Sequence, residues 1–364
     1  MKETDKLLSL DPFDFSPTAK EQFLKSFKEI ASHHYDNHSY TKFLWDKKML
    51  TPSQLASESD LACAPFMLVN EFKENDFKTT DDIILTLGSS GTSGQRSVMH
   101  LNQYSLDNVK KLAFNIYDSL NIVSDKKYNY LCFTYDPKVA DDLGTAFTDE
   151  LLTSFTGVDE IYYTFQFDVE KNDFVMDEDE IVSVLKRFEK SSSSTRILGF
   201  PAFLYEILQK YDLNLDLGRD SWLQTGGGWK SKADKEIPKH EFRQLIENRL
   251  GIPKENIRDL FGMVEHGIPY VDCQNGKLRI PNYSRVYIRD PHSLELLEDG
   301  EVGLIQFLCT YNSAYPSINI LTTDWGRVVK ESDGVSEYSL EIVGRAGLNK
   351  NKGCALKALD LLKD

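Results

Sequence analysis

The chain has 364 residues, of which 41% are hydrophobic and 27% are charged. This composition excludes a disordered chain, a collagen-like chain and a coiled coil, and the length suits one large α/β domain or two ordinary ones. The 42 Lys and Arg residues stand against 57 Asp and Glu residues, and the formal charge of −15 argues against broad binding to nucleic acids or anionic membranes. An anionic substrate therefore needs a local binding site.

The first 80 residues are predicted to form a helical N-terminal region. Ser16-Pro17 is typical of a helix start and precedes an apolar helical face, and Thr51-Pro52 predicts the start of a second helix. The short apolar run at 83–87 then predicts a strand that ends in a loop of small residues at 89–94. The pattern thus changes from helical to α/β near residue 81.

Strand-like and helical runs alternate through an α/β core predicted at 81–280. The strand-like runs lie at 130–135, 161–165 and 197–200, and the helical runs at 106–120, 180–190 and 202–211. Short strands then predict a β-rich subdomain at 281–343, with runs at 285–288, 302–308, 328–329 and 339–343. A short tail follows at 344–364. The acidic run 177–180 is predicted to be a solvated loop, and the serines at 191–194 a helix-flanking turn.

The five cysteines are widely spaced and include no CxxC pair, so they predict neither a disulfide framework nor a zinc site. They are Cys63, Cys132, Cys273, Cys309 and Cys354. The first four lie in apolar runs and are predicted to be buried. The N-terminus lacks a continuous apolar segment, and no stretch approaches about 18 apolar residues. We therefore expect a reduced, cytoplasmic protein without a transmembrane segment.

The loop after the first predicted strand has the chemistry of a phosphate-binding loop. Its glycines allow close backbone approach, and its N–H and hydroxyl groups can donate to anionic oxygens. The loop residues are Ser89, Ser90, Gly91, Thr92, Ser93 and Gly94. The loop is neither a Walker A motif nor a GxGxxG dinucleotide motif. Taken alone, the same composition also fits a plain turn.

Three consecutive glycines, Gly226, Gly227 and Gly228, follow an apolar pair. They predict a strand end to which a flat ligand or a neighbouring backbone approaches closely, with a flexible hairpin as the alternative. Lys230, two residues further on, either pairs with a phosphate or carboxylate or is simply an exposed lysine.

Two carboxylates are candidates for metal and nucleotide contacts. Glu265 is a candidate Mg²⁺ ligand, because nucleotide-bound Mg²⁺ commonly takes one or two protein carboxylates together with phosphate oxygens. Its neighbour His266 is either a base or merely a polar residue. Asp324 is predicted to lie in a turn after a strand, where it either accepts from ribose hydroxyls or forms an Asx turn.

Near the end of the chain, Cys354 follows a glycine and lies among three lysines, Lys350, Lys352 and Lys357. Nearby cations favour a thiolate over a thiol, and the thiolate is the nucleophilic form. The sequence therefore predicts a reactive cysteine here.

The order of these features resembles that of the adenylate-forming superfamily of acyl and aryl ligases. Within that superfamily the whole chain resembles the LuxE-type acyl-protein synthetases, the long-chain-fatty-acid–luciferin-component ligases of the bacterial luminescence reductase complex. The specific matches are SSGTSG at 89–94, TGGGWKS at 225–231, Ile257-Arg258-Asp259 leading into Phe261 and Glu265, and KGCAL at 352–356.

The resemblance implies a large adenylate-forming N-terminal domain, with mixed sheets flanked by helices and a β-rich subdomain. It also implies ATP-dependent activation of a long-chain fatty acid to acyl-AMP, with ATP and Mg²⁺ as cofactors. By resemblance, the loop 89–94 would hold the β- and γ-phosphates and the three glycines would line the adenine pocket. Glu265 would bind Mg²⁺, Asp324 the ribose hydroxyls, and Arg345 the ribose or the phosphate side.

In LuxE-type proteins the acyl group then moves to a cysteine near the C-terminus, which Cys354 matches. A protein partner, an acyl reductase or an acyltransferase, would receive it next. The apolar run 197–204 is either a wall of the acyl pocket or a core strand and helix start. Two alternatives remain: a CoA ligase of the phenylacetate–CoA type, and a non-catalytic subunit that binds a nucleotide or an acyl group.

The chain departs from the family pattern in three places. Gln95-Arg96-Ser97 stands where most relatives have Pro-Lys, so Arg96 is one candidate for the missing cation, and Phe261 and Val264 replace a Tyr and a Thr. Only 19 residues follow Arg345, which predicts that the C-terminal lid domain is absent or vestigial. The role of the lid lysine would then pass to a partner subunit or to a lysine of this chain: Lys230, Lys350 or Lys352.

Overall fold

The computed structural model describes residues 1–89, 97–135, 144–168, 173–229 and 235–345. In these ranges the chain is a mixed α/β structure with nine α-helices: α1 (Lys2–Leu7), α2 (Pro17–Asn37), α3 (Ser39–Lys47), α4 (Glu71–Glu74), α5 (Gln103–Ser119), α6 (Gly144–Thr153), α7 (Glu178–Glu189), α8 (Pro201–Lys210) and α9 (Lys239–Leu250). Short 3₁₀ helices lie at Pro52–Gln54, Glu58–Cys63 and Lys254–Asn256.

The strands found in the same ranges are β1 (Met67–Leu68), β2 (Leu85–Gly88), β3 (Val98–Leu101), β4 (Lys127–Tyr135), β5 (Gly157–Asp168), β6 (Asp173–Met176), β7 (Thr195–Gly199), β8 (Trp222–Gly226), β9 (Ile257–Phe261), β10 (Tyr270–Val271), β11 (Leu278–Arg279), β12 (Ser284–Arg289), β13 (Gly303–Cys309), β14 (Asn319–Lys330) and β15 (Tyr338–Arg345). They form one six-stranded sheet, one seven-stranded sheet and one hairpin.

The chain divides into two compact units, of which the first comprises Met1–Ser119, Met263–Tyr270 and Leu278–Asp364. Its main sheet has the antiparallel order β11-β15-β14-β13-β12, and β1 pairs parallel with β14. β2 and β3 form a separate antiparallel hairpin. This hairpin bears on function because the predicted phosphate loop connects its two strands.

Helix α2 packs its apolar face into the core of the first unit. Ser16 caps the helix by accepting a hydrogen bond from a first-turn N–H at 3.3 Å, and Pro17 occupies the first turn. Phe23, Phe27 and Ile30 recur at helical spacing and are fully buried. Burial of each such side chain contributes roughly 1.5–3 kcal/mol, so this face holds α2 against the unit.

The second unit comprises Leu120–Gly262 and Val271–Lys277. Its strands belong to a sheet of order β10-β9-β8-β7-β4-β5-β6, in which β5, β4, β7, β8 and β9 run parallel and β6 runs antiparallel. The carboxyl ends of the parallel strands therefore meet at one edge of the sheet and their amino ends at the other. In open sheets of this kind, ligands usually bind at the carboxyl edge.

The core of the second unit explains why its strands appear in the sequence as apolar runs. Leu131, Ile197, Leu223 and Ile257 come from four neighbouring parallel strands and are all buried. Helices α7, α8 and α9 add apolar side chains to the same cluster. Because parallel strands are covered on both faces, they lack the polar alternation of a half-exposed strand.

The predicted alternation of strands and helices is confirmed. The three strand-like runs fall within or at the ends of β4, β5 and β7, and the three helical runs coincide with α5, α7 and α8 to within a few residues. The four short runs of the β-rich part fall in β12, β13, β14 and β15. The turn at 191–194 is also confirmed. Helices α6 and α9 were not predicted, and α3 lies in the N-terminal region that was predicted to be helical without a start of its own.

Two of the local secondary-structure predictions are wrong. Thr51-Pro52 begins only the 3₁₀ turn Pro52–Gln54, because Thr51 and Gln54 close a capping box around that single turn. The acidic run is not a loop: the Asp177 side chain accepts from the Glu180 N–H at 3.0 Å and caps α7. Acidic side chains in a first helical turn interact favourably with the helix dipole, so this run begins a helix.

The cysteine prediction is correct for three of the four residues placed in apolar runs. Cys132, Cys273 and Cys309 are buried, whereas Cys63 is exposed. Cys63 ends the 3₁₀ helix Glu58–Cys63, in which only Leu61 is buried. An apolar neighbourhood in sequence therefore does not predict burial where the local structure is a single surface turn.

Candidate functional site

The base of the predicted phosphate loop is the end of the β2–β3 hairpin. Gly88 pairs with Val98, and beyond them the Ser89 N–H donates to the Ser97 carbonyl at 2.9 Å. The Ser97 N–H donates in return to the Ser89 hydroxyl at 3.0 Å. The predicted strand leading into a loop is thus confirmed as far as Ser89. The remaining predicted loop residues and Arg96 lie outside the described residues: Ser90, Gly91, Thr92, Ser93 and Gly94.

A buried histidine ties the hairpin to the preceding segment. His100 on β3 is 4% exposed, and its two ring nitrogens contact the Thr86 hydroxyl of β2 at 2.9 Å and the Asp76 carboxylate at 2.5 Å. Hydrogen bonds from Lys78 and from His100 lower the pKa of Asp76. Both strands at the base of the loop are therefore held by one side-chain network.

Glu265 lies in the same unit and is 5% exposed. Within the described part of the chain its carboxylate has no hydrogen bond and no ion pair. Gly267, two residues later, has φ +71° and closes a turn by donating its N–H to the Met263 carbonyl at 2.9 Å. Glycine is required there, because a Cβ would fall on the Tyr311 hydroxyl, with the Tyr311 Cζ only 2.9 Å away.

The segment around Tyr311 connects Glu265 to the base of the phosphate loop. The Tyr311 hydroxyl donates to the Met99 sulfur on β3 at 3.4 Å, and the Asn312 amide donates to the His100 carbonyl at 3.1 Å. The Tyr315 ring packs edge-on against His100, with ring centroids 5.8 Å apart. Burial, with the nearby carboxylates of Glu265 and Asp76, raises the pKa of Tyr315. The segment 311–315 thus connects the turn after Glu265 with the β2–β3 hairpin, whose described end is the base of the predicted loop.

His266 is a core residue rather than a base. It is fully buried, stacks on Phe307 with centroids 4.8 Å apart, and contacts the Tyr270 hydroxyl at 2.9 Å through Nε2. That hydroxyl lies 2.6 Å from the Ser284 hydroxyl. Burial lowers the pKa of His266 to about 3, so the ring is neutral at physiological pH. Its role is to hold the backbone next to Glu265.

Asp324 lies within a strand, so its predicted turn is wrong. It belongs to β14, where its N–H donates to the Thr322 hydroxyl at 3.1 Å and where the register shifts between Trp325 and Gly326. This β-bulge, rather than a chain reversal, explains the glycine after Trp325. Asp324 is 5% exposed and pairs across the sheet with Arg345 of β15. Two predicted ribose contacts are therefore neighbours on adjacent strands.

The glycine run lies in the second unit, at the carboxyl end of β8. Gly226 is the last residue of the strand, and a Cβ there would lie 3.4 Å from the Leu260 carbonyl of the neighbouring β9. Gly227 and Gly228 have φ +71° and +64°. The predicted strand end is confirmed and the hairpin alternative is wrong, because β8 and β9 are parallel. The close approach of a ligand or backbone stays a prediction, because a Cβ on Gly226 would be in ordinary van der Waals contact and a Cβ on Gly228 would meet no atom within 4 Å. Lys230 lies outside the described residues.

A charged cluster beside these glycines was not predicted. The Thr225 hydroxyl donates to the Asp259 carboxylate of β9 at 3.0 Å. Lys239 donates to Asp272 at 2.8 Å and lies 3.8 Å from Asp259. Asp272 is fully buried, and burial raises its pKa to about 6, an effect that Lys239 opposes. The cluster could not be predicted from the spacing of these residues in the sequence, because they lie on separate segments that meet only in the folded unit.

The apolar run 197–204 forms the end of β7 and the start of α8. Ile197, Ala202 and Leu204 belong to the core of the second unit, so the core interpretation is confirmed for these residues. Phe200 and Phe203 are packed differently. Their rings form an aromatic cluster in which Phe203 meets Phe165 of β5 with centroids 5.0 Å apart.

Cys354 and the lysines around it lie outside the described residues. Of the buried cysteines, Cys309 has a pKa raised to about 12 by burial, and burial also raises the pKa of Cys132. Thiols with raised pKa values are poor nucleophiles at neutral pH. Neither is therefore a competing acyl acceptor.

The described ranges contain no group of three His, Cys, Asp or Glu side chains arranged to hold a metal ion. A metal at Glu265 would thus depend on oxygen ligands from a bound nucleotide. No helix in the described part of the chain has the length and apolar character needed to span a bilayer.

Comparison with known families gives a match over nearly the whole chain. Residues 2–362 match the family described as acyl-protein synthetase, LuxE. The long-chain-fatty-acid–luciferin-component ligase of Aliivibrio fischeri is 30% identical over 210 residues, which cover 56% of this chain and 55% of that protein. The Vibrio harveyi ligase of the same name is 25% identical over 365 residues, which cover 95% of this chain and 92% of that protein.

Solved structures with the same fold include 2-hydroxyisobutyryl-CoA ligase. Its open conformation, in complex with 2-HIB-AMP and CoA, has a TM-score of 0.66 and 14% identity, covering 90% of this chain and 74% of that chain. The same enzyme in the thioesterification state has a TM-score of 0.69 and 14% identity, covering 92% of this chain and 69% of that chain. The predicted α/β adenylate-forming fold is confirmed.

Proposed function

Because the chain belongs to the LuxE family of acyl-protein synthetases, we propose that it activates a long-chain fatty acid with ATP and Mg²⁺ and then carries the acyl group on its own Cys354. In the first step a carboxylate oxygen attacks the α-phosphorus of ATP. An acyl-AMP forms and the bond to pyrophosphate breaks. This step brings two anions together, so it requires donors and cations around the phosphates.

The observation that carries the proposal is the environment of Glu265. Glu265 is 5% exposed as a whole residue, and the described part of the chain supplies no hydrogen bond or ion pair to its carboxylate. A largely buried carboxylate is costly without a compensating charge. Its surroundings connect through Tyr311 and Met99 to the hairpin that carries the phosphate loop. A Mg²⁺ ion bound to nucleotide phosphates would supply the missing positive charge. The residues present therefore fit this ion.

The nucleotide contacts follow from the placement of the remaining residues. Ser89 and the loop beyond it would donate to the β- and γ-phosphates. Asp324, whose strand pairs with that of Arg345, would accept from the ribose hydroxyls. By resemblance to the family, the peptide edge at 226–228 would line the adenine.

The acyl chain needs an apolar wall. Phe165, Phe200 and Phe203 form an aromatic cluster near the carboxyl ends of β5 and β7, the edge at which parallel sheets bind ligands. We assign the acyl chain to this cluster. Replacement of Phe203 by Trp should then shorten the preferred acid without changing the apparent affinity for ATP.

In the second step the Cys354 thiolate attacks the acyl carbonyl carbon. The thiol has given its proton to solvent before the attack; the thioester bond then forms as the bond between the acyl carbon and AMP breaks, and AMP leaves. The cation that assists this transfer would come from Lys230, Lys350 or Lys352, or from a partner subunit. The thioester would then be delivered to an acyl-accepting protein, an acyl reductase or an acyltransferase.

The test is acid-dependent exchange of radiolabelled pyrophosphate into ATP, measured over a panel of carboxylic acids. We expect exchange with long-chain acids and none with short or aryl acids. A parallel incubation with ATP, acid and free CoA separates the two ligase classes. Thioester that appears on CoA rather than on the protein would refute the acyl-protein synthetase assignment, and absence of exchange with every acid would refute the adenylation step.

A further inference from the structure

A cavity of the second unit lies at the edge of its sheet opposite the glycine run. Its volume is about 530 Å³, which falls in the range of small-molecule sites. The charged and aromatic residues in its wall are Lys126, Tyr128, Arg196, Arg219, Asp220, Trp222 and Glu255. All of them lie at or just before the amino ends of β4, β7, β8 and β9. The cavity is therefore separated from Gly226 by the length of β8, roughly 15 Å.

Arg196 is the central residue of this wall. It is 5% exposed, and its guanidinium carbon lies 4.4 Å from the Tyr128 ring centroid and 5.5 Å from that of Trp222. Among the described residues it makes one hydrogen bond, from Nη2 to the Ile122 carbonyl at 2.7 Å, and its Nε has no partner. A guanidinium has five N–H donors, so most of its hydrogen-bonding capacity is unused.

No carboxylate neutralises Arg196 in the described part of the chain. The wall holds two carboxylates: Asp220 pairs with Lys126 at 2.7 Å, and the exposed Glu255 forms no ion pair among the described residues. Arg219 is exposed, and its side chain makes no ion pair within the described ranges. Arg196 and Arg219 thus line one cavity without an ion pair among the described residues, in a chain whose formal charge is −15. The carbonyl and the two rings that contact Arg196 do not neutralise its charge, so a bound anion would stabilise this arrangement.

We propose that this cavity binds a small oxyanion, a phosphate ester or a carboxylate, through Arg196 and Arg219. Guanidinium groups suit both classes, because their paired N–H donors match the oxygens of carboxylates and phosphates. The Trp222 ring offers an apolar face for the organic part of the ligand. The proposal does not rest on the proposed adenylation function, since the cavity shares no residue with the adenylation site.

Calorimetric titration of the full chain tests the proposal. Inorganic phosphate and citrate serve as probes for the two sources of the anion, and glucose serves as the neutral control. A saturating non-hydrolysable ATP analogue is present throughout, so that phosphate cannot bind where the α-, β- and γ-phosphates of the nucleotide are proposed to lie. We expect saturable binding of at least one anion and none of glucose. Binding of phosphate alone identifies a phosphate ester as the ligand class, and binding of citrate alone identifies a carboxylate.

Arg219→Gln is the decisive variant, because Arg219 is exposed and its loss does not endanger folding. We expect the affinity to fall about tenfold or more, since a hydrogen bond to a charged group contributes about 1.5–3 kcal/mol. Lys186→Gln is the matched control: it removes the same charge from an exposed position on α7, outside the cavity. The affinity of Lys186→Gln for the anion should match that of the wild type within about twofold, because surface charges far from a site are screened.

Three outcomes would overturn the proposal. The first is the absence of saturable binding of either anion to the wild type, which would leave a water-filled cavity. The second is unchanged affinity in Arg219→Gln. The third is an equal loss in Lys186→Gln, which would indicate a non-specific charge effect. Arg196→Met, checked for folding by circular dichroism, should lose binding as well, and normal binding by the folded variant would count against the assignment.

Discussion

Gly267→Ala is the sharpest structural test of how Glu265 is held. Gly267 has φ +71°, and a Cβ at this position would meet the Tyr311 hydroxyl. A non-glycine residue in the left-handed region costs about 1–2 kcal/mol, and overpacking costs typically about 1–3 kcal/mol more. We therefore expect the free energy of unfolding to fall by about 2–5 kcal/mol in total. The turn that carries Glu265 would also shift.

Gly334→Ala separates the two contributions. Gly334 lies in the same unit at φ +79°, but no atom lies within 4 Å of the position of its Cβ. This variant should lose only the backbone contribution, about 1–2 kcal/mol. Addition of Tyr311→Phe to Gly267→Ala removes the clashing oxygen and should recover part of the difference between the two glycine variants, because the ring carbon Cζ, 2.9 Å from the Cβ position, remains.

Urea denaturation at neutral pH measures these free energies, and pyrophosphate exchange at several Mg²⁺ concentrations measures the functional effect. Gly267→Ala should lower exchange about tenfold or more and raise the Mg²⁺ requirement, because a small misplacement of a metal ligand is costly. Gly334→Ala should exchange like the wild type. Equal stability of the two glycine variants, or no recovery on addition of Tyr311→Phe, would show that the contact with Tyr311 does not constrain this turn.

Three further predictions follow from buried charges. Glu265→Gln should abolish or strongly reduce exchange and should not reduce stability, because it removes a buried charge; a normal Mg²⁺ titration would contradict the metal role. Burial lowers the pKa of His34 to about 3, below its unfolded value of about 6.5, so its stabilising contribution is complete above about pH 6.5 and is lost as the pH falls towards 3. The wild type should therefore lose roughly 2 kcal/mol of its free energy of unfolding through His34 between about pH 8 and pH 5, and His34→Gln should not show this part of the loss. Urea denaturation at both pH values measures it, and the same pH dependence of the unfolding free energy in His34→Gln as in the wild type would refute the prediction. Lys239→Met leaves the Asp272 carboxylate buried without its partner and should cost about 2 kcal/mol at neutral pH; Asp272→Asn should restore stability in that background, and a destabilised double variant would count against the pairing.

The features that could be predicted from the sequence depend on neighbouring residues. The strand that ends in a glycine run could be predicted because Gly226, Gly227 and Gly228 follow an apolar run, and two of them adopt positive φ. The strand that ends at Ser89 could be predicted because small residues follow an apolar run there as well. Asp324 was placed in a turn because Trp-Gly is common there, whereas a β-bulge uses the same glycine without reversing the chain.

The remaining features depend on contacts between distant segments. Tyr311 approaches Gly267 across more than forty residues of sequence, and no local pattern indicates which aromatic side chain fills that space. The Lys239–Asp272 pair joins the start of α9 to a segment after β10, so it emerges only from the fold of the second unit. The two compact units also interleave in sequence, since 263–270 and 271–277 belong to different units. Changes of composition along the chain cannot reveal such interleaving.

The most direct test of the central claim is the site of acylation. The full chain is incubated with ATP, Mg²⁺ and a long-chain fatty acid, and its intact mass is measured before and after hydroxylamine treatment. We expect one acyl group per chain, removed by hydroxylamine and mapped by peptide analysis to Cys354. Cys354→Ser should remain unacylated while it retains acid-dependent pyrophosphate exchange. An acyl group on another residue, or loss of exchange together with acylation in Cys354→Ser, would contradict the account.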